Sequence, residues 1–586
     1  MNKSDIDILS EYYQYELSYL RSAGRDFAKR FPKIARRLDL SHNESSDPQI
    51  ERLIESFAFL TGKLQKQIDD QFPEIADSLL GVLYKPLVLP TPSCVMVNFD
   101  VDQARAMKNV GCVVPKNTQL HATSTSGVVC HFMTSHDIRL WPMEITSAEI
   151  VQKEQIPNYY ARATYYLKIG VRYPSSVEQP RKLRFYINAD ALLRGKIFSA
   201  IFSSDENVVY QKDKQFSFAR TISPVGLEDD EALLPYPNTV HKGFRLLQEY
   251  FLFSEKFYGF DVTLPENLDI SGQGYLYIPM GYNIFMQVAP HNFSLSSVPA
   301  VNLFPKVTEP LHLDYKQVEY CLVPDFRRYN STEIYTIEKM VAVEPKGNDE
   351  MVIPEFFSCT HNAEDVKSGI FWKSKRKKSY MKDATGEDVY ISFIDTDFKP
   401  QFPADKIFYA YTLCMNRGAA EQIPVLGELQ VELSAPIKRV YCLDRPTAQK
   451  PSIQNGRSLW KLISALSLNS FSFSSEGIEK IREMLNVFTD IADSNLSKEV
   501  DAILSIDSSI ITKRADEQTW RGFVRGTEIG ITFDNSIENL GLPLSLVLSK
   551  FLSSYTTLNT FVDVVVKSKD KVVKKWEQQF GIQNYL

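Results

Sequence analysis

Large apolar side chains recur at spacings of three and four through the first eighty residues, a pattern that predicts helices with one continuous apolar seam. The first seam runs Leu9, Tyr13, Leu17, Leu20, Phe27 and Phe31, with Gly24 in the same row. A second runs Ile50, Leu53, Phe57, Leu60, Leu64 and Ile68, opened by Asp47 as N-cap and Pro48 at the first helical position. Pro73 opens a third, shorter helix carrying Ile75, Leu79, Leu80 and Leu83. Prolines 86, 90 and 92 then stop helical structure, because none of them can donate to a continuing helix.

After Ser93 the period changes from helical to alternating, which places a domain boundary near residue 90. Val95, Val97 and Phe99 alternate first. In ATYYLKIGVRY, Ala163, Tyr165, Leu167, Ile169, Val171 and Tyr173 form the expected core face, and Thr164, Tyr166, Lys168, Gly170 and Arg172 the polar face. RKLRFYIN repeats the alternation, and ADALLRGKIFSAIF reads as a short helix capped by Asp190. Toward the carboxy end, Leu544, Val547, Leu548, Phe551, Leu552 and Tyr555 share a helical face. Residues 561–567 and 571–575 flank SKD as a hairpin.

The wording YYQYELSYLRSAGRDFAKRFPKIARRL, followed by DPQIERLIESFAFLTGKLQKQIDDQFPEIADSLLGVLY and PLVLPTPS, closely resembles the amino-terminal signature of the TssF family of type VI secretion baseplate wedge proteins. GFRLLQEYFLFSEKFYGFDV, LVPDFRRYNSTEIYTIEKMVAV, LWKLISALSLNSFSF and FVRGTEIGITFDN resemble the same family, so the likeness spans nearly the whole chain. VVPKNTQL with VVCHFMTSHDIRLWP resembles a module of contractile phage tail baseplates, in which a Gly usually stands where this chain has Asn117. Asn tolerates the left-handed backbone such a turn requires.

Length and charge bound the remaining possibilities. The 586 residues exceed the roughly 250 to 300 that one core supports, so several domains are expected. The expected architecture is multi-domain α+β: a helical bundle region over 1–90, a β-rich domain with the phage-like module over 91–235, a second β-rich domain over 236–440 and a mixed α/β domain over 441–586. A net charge of −6 argues against general affinity for nucleic acid or anionic lipid. MNKSDIDILSEYY has no apolar leader core, and no apolar run reaches the roughly 18 residues of a membrane span, which gives a cytoplasmic expectation. Seven cysteines without a CxxC pair fit reduced thiols there.

Candidate chemistry is sparse. GxxxxGK, GxGxxG, HExxH and GxSxG are all absent, so no cofactor, metal or catalytic group is expected. Cys112, His121, Cys130 and His131 have zinc-binding donors, but on a strand the adjacent Cys130 and His131 point to opposite faces. LEDDEALL, with Asp229 and Asp230, reads as a solvated loop or helix start. WKSKRKKSYMK, residues 372–382, reads as a mobile surface loop, with docking onto an acidic protein as the other reading.

Apolar helical faces taken alone read as intramolecular core. The resemblance instead makes Tyr13, Leu17, Leu20, Phe27, Leu53, Phe57, Leu60 and Leu64 candidate bundle surfaces. It implies a non-enzymatic wedge subunit, two copies pairing with one TssG, that helps nucleate the contractile tail. It further implies contact with TssK, TssE and the central VgrG spike, and docking through the baseplate on the membrane complex at the inner membrane. A wedge protein of a phage-derived contractile tail is the near alternative, and a carbohydrate-active enzyme the remote one.

Overall fold

The computed structural model describes most of residues 10–20 and 48–580, apart from loops of which 358–369, 396–406, 464–476 and 515–522 are the longest. The chain divides into two compact units, Met1–Leu83 with Ile453–Ser464, and Tyr84–Ser452 with Ala465–Leu586. Together they form a multi-domain α+β protein with many short sheets. No helix among the described residues is long and apolar enough to cross a membrane.

In the smaller unit, helices Pro48–Gln71 and Pro73–Leu83 begin at the two prolines that fix a helical φ at no hydrogen-bonding cost. The described residues between 10 and 20 are helical as well. Leu9, Gly24, Phe27, Phe31 and the capping Asp47 lie outside the described residues.

The larger unit is built around a closed barrel with strand order Cys94–Val101, Ser297–Val301, Val129–Thr134, Gln119–Thr123, Glu428–Val431, Ile437–Cys442. Its interior is filled by alternate residues, among them Val97, Phe99, Leu120, Phe132, Val298 and Val440. The barrel turn holds Asn117 at φ 63°, the left-handed conformation expected of it.

Beside the barrel lies a five-stranded sheet ordered Gln215–Phe218, Val209–Lys212, Gly272–Met280, Tyr165–Tyr173, Glu144–Gln152. Here one expectation fails: Tyr166, assigned to a polar face, is fully buried with Val151, Ile156, Val209 and Tyr277. Its strand is interior to the sheet, and on the expected polar face Tyr166 and Gly170 are covered while Thr164 and Arg172 stay exposed. Helix Ala191–Phe202 starts as expected, with the Asp190 carboxylate accepting from the Leu193 N–H at 2.7 Å.

Nearer the carboxy end, Phe523–Phe533 and Phe561–Ser568 pair in parallel. A parallel pair needs a crossover, and helix Gly541–Ser553 lies in that connection. It packs on helix Lys242–Leu252, with Phe551 edge-on to Phe244 at 5.2 Å. Lys571–Lys575 closes the expected hairpin.

Candidate assembly interface

Helix Pro48–Gln71 meets the rest of its own unit through small residues. Ala58 and Gly62, one turn apart, are both buried. A Cβ placed on Gly62 would stand 3.1 Å from the Tyr13 amide nitrogen and 3.2 Å from the Tyr12 carbonyl carbon, so two helical backbones cross here in close contact. Glycine inside a helix costs roughly 1 kcal/mol against alanine, and this approach is what it permits.

The predicted seam lies elsewhere on the cylinder. Leu53 is 73% exposed, Phe57 55%, Leu60 54% and Leu64 49%. At about 100° per residue these four cluster within roughly 60° of one another, and the Ala58–Gly62 row lies about 150° away. The helix therefore turns its large apolar side chains to the outside. Phe59, Leu79 and Leu83 add further exposed apolar area, whereas Tyr13, Leu17 and Leu20 are half-buried. Contiguous exposed apolar surface of this kind marks an interaction site.

Of the four zinc-type donors, the structure brings two together. His121 and His131 face each other across paired strands, Nδ1 to Nδ1 at 2.8 Å, one ring donating and the other accepting. Burial, reinforced by His121, lowers the pKa of His131 to about 4, so His131 is neutral near pH 7. Cys130 points the other way into the barrel core, as the strand geometry required, and Cys112 pairs with Leu140 on a separate two-stranded ribbon. Among the described residues no group of three or more His, Cys, Asp or Glu is arranged to hold a metal ion.

Two expectations about charged runs are corrected. The basic run is no loop: Ile370–Lys378 is a strand paired along its length with Glu387–Asp395. Trp372 anchors it, buried and donating to the Ile353 carbonyl at 3.0 Å, while Arg376 donates to the Ile334 carbonyl at 2.9 Å. Lys377 pairs with the carboxylate of Glu319, so an acidic residue distant in sequence takes up part of the charge. The acidic run is only partly solvated: Asp229–Glu231 forms a 3-10 turn whose last residue is buried.

That Glu231 belongs to a charged network that sequence reasoning missed. Arg184 reaches Glu231 at 2.6 Å and grips Asp261 with two bonds of 2.9 Å, and Lys182 adds a 2.6 Å contact to Asp261. The network lines a cleft of about 770 Å³. Burial, with Arg184 beside it, holds His136 in this cleft neutral by lowering its pKa to about 3. A second buried pair, Lys256 with Glu249, is tied further by the Leu233 N–H at 2.9 Å on the Glu249 carboxylate. The one available signal was Gln248 and Glu249 inside the apolar run FRLLQEYFLF, polar groups that burial obliges to find partners.

This architecture has been met before. A family model described as "Type VI secretion system, TssF" matches residues 6–583, which makes the chain a component of a type VI secretion system. It belongs to the TssF family. A curated relative, type VI secretion system component TssF1 of Pseudomonas aeruginosa, is 26% identical over 98% of each chain. Among solved structures, a chain of a TssK-TssF-TssG baseplate subcomplex superposes with a TM-score of 0.71 at 20% identity, covering 91% of this chain and 99% of that one. A chain of the type VI secretion baseplate complex matches with a TM-score of 0.58 at 18% identity, covering 98% and 100%.

Proposed function

We propose that this chain is a non-enzymatic structural subunit of a type VI secretion baseplate wedge, in which two copies pair with one TssG-like protein and help nucleate the contractile tail. The observation that carries the reading is the exposed row Leu53, Phe57, Leu60 and Leu64, opposite the face by which its helix packs. Tyr13, Leu17, Leu20 and Phe27 of the preceding segment complete the candidate set. Four large apolar groups in line suit a helix laid against helices of a partner. The solved relative named for a TssK-TssF-TssG subcomplex supports TssG-like and TssK-like partners. Contacts with TssE, the VgrG spike and the membrane complex complete the reading, with the protein at work on the cytoplasmic side of the inner membrane.

The test is native mass spectrometry of this chain co-expressed with a TssG-like subunit. A stable species of two copies to one supports the wedge; two independent, folded monomeric species would refute the pairing.

A further inference from the structure

The carboxy-terminal sheet runs Ile503–Arg514, Phe523–Phe533, Phe561–Ser568, Lys571–Lys575, and its two edges differ in kind. At one edge Lys571–Lys575 is five residues long, carries lysines at 571, 574 and 575, and pairs with a register shift. Short length, lysines and bulges keep a sheet edge from pairing with another chain. Elsewhere in the larger unit the edges Gln215–Phe218, Phe304–Val307 and Glu350–Ile353 stop at four residues each.

The other edge lacks such protection over most of its length. Ile503–Arg514 is 12 residues long and, among the described residues, pairs on one side only, with Phe523–Phe533. Its single register shift lies at the start, between Ile503 and Ser505, so the run from Ser505 onward is regular. The outward N–H and C=O groups of alternate residues are therefore open to a second strand. Asp507, Ser508, Ser509, Ile510 and Thr512 are exposed, Ile510 at 64%, and no proline interrupts them.

The residues along this edge select its occupant. Two copies can pair antiparallel about a two-fold axis normal to the sheet, which sets residues of like parity opposite each other on a common face. Centred on Ile510, this register places Asp507 of each copy opposite Lys513 of the other, Ser508 opposite Thr512, and Ile510 opposite its own counterpart. Moving the axis by one residue faces Asp507 with Ile511 or Lys513 with Ser509, and the charge match is lost. Asp507 carries no ion pair among the described residues. Lys513 holds the buried Asp563, which Lys575 also reaches at 3.2 Å, so Asp563 stays paired when Lys513 meets a second carboxylate.

We infer that Ile503–Arg514 pairs antiparallel with the same strand of a second copy, joining two carboxy-terminal sheets across a two-fold axis at Ile510. About six to eight main-chain hydrogen bonds form over Asp507–Lys513, and both Ile510 side chains are covered. The pairing closes, because the joined sheet then ends on both sides at its lysine-bearing edge. The contact lies in the larger unit and goes beyond the wedge reading, which rests on helix Pro48–Gln71 of the smaller one.

The experiment is sedimentation velocity of the full chain over a range of concentrations. The wild type is expected to dimerise. Ile510→Lys and Ile510→Glu should each weaken the dimer about tenfold or more, since each sets two like charges face to face and removes two covered isoleucines. An equimolar mixture of the two variants should dimerise again, because opposite charges then meet on the axis. Only a two-fold contact centred on this residue gives that recovery. Thermal melts should match the wild type, since Ile510 is exposed, and a TssG-like subunit should bind both variants as it binds the wild type. A monomeric wild type, an Ile510→Lys chain that associates like the wild type, or a mixture that stays monomeric would each overturn the inference without touching the wedge reading. Loss of the TssG-like subunit from both variants would overturn it as well, by giving this edge to that partner.

Discussion

Replacing Phe57 and Leu60 together by Ser separates a core role from an interface role. Each side chain is about half exposed in the free chain, so roughly half of its burial remains to be made. Full burial of a Phe or Leu side chain is worth about 1.5–3 kcal/mol, which leaves about 1 kcal/mol apiece for the complex. The pair should therefore weaken binding of a TssG-like subunit by about 2 kcal/mol, roughly 30-fold in Kd. Folding should change by about 1 kcal/mol per residue, the half of each side chain already buried in the free chain. Isothermal titration gives the first number and a thermal melt the second. Were the two residues core, the same change would cost about 2–5 kcal/mol each and lower the melting temperature. Unchanged affinity, or a large loss of stability, would refute the assignment of this face to a partner.

Three further outcomes follow from the larger unit. Lys256→Met should destabilise by about 3–5 kcal/mol, because it strands Glu249 as an unpaired buried carboxylate, and adding Glu249→Gln should recover much of that loss in a denaturant melt. Burial raises the pKa of Glu499 from its usual 4.5 to about 8, although the Tyr250 hydroxyl donating at 2.7 Å opposes the shift. A raised carboxyl favours the fold while protonated, so its contribution is full below about pH 4.5 and is lost as pH rises through 8; Glu499→Gln should flatten the fall in melting temperature across that window. Gly386→Ala should cost about 2 kcal/mol or more, measured by chemical denaturation, because φ is +98° there and the new Cβ would overlap the Glu333 carboxylate.

What was legible in the sequence was local. Pro48 and Pro73 mark helix starts, Asp190 caps a helix, and the alternation through 165–173 gives a strand, because each signal lies within a few residues of what it specifies. What failed depended on distant partners. Tyr166 is buried because strands around Val209 and Tyr277 enclose it, and the lysines of 373–378 lie in a strand because 387–395 pairs with that stretch along its length. The seam on Pro48–Gln71 was legible as a row, but its orientation was set by Ala58 and Gly62, whose small size carries no hydrophobic signal. Gly62 and the Arg184, Asp261 and Glu231 network were missed for the same reason: nothing in their own neighbourhoods names the group they meet.

The barrel also sets a timetable for biogenesis. Its first strand, Cys94–Val101, is flanked by Ser297–Val301 on one side and by Ile437–Cys442 on the other. Translation at roughly 5–20 residues per second separates the first strand from the last by about 20–70 seconds. For roughly the first 10–40 seconds of that interval, until Ser297–Val301 is made, a run of Val95, Met96, Val97 and Phe99 has no neighbour on either edge, and one edge stays open until the last strand, a hazard for pairing between nascent chains on one polysome. Yield of this protein should accordingly depend on translation speed and on chaperones that hold exposed strands, more than on the stability of the finished fold.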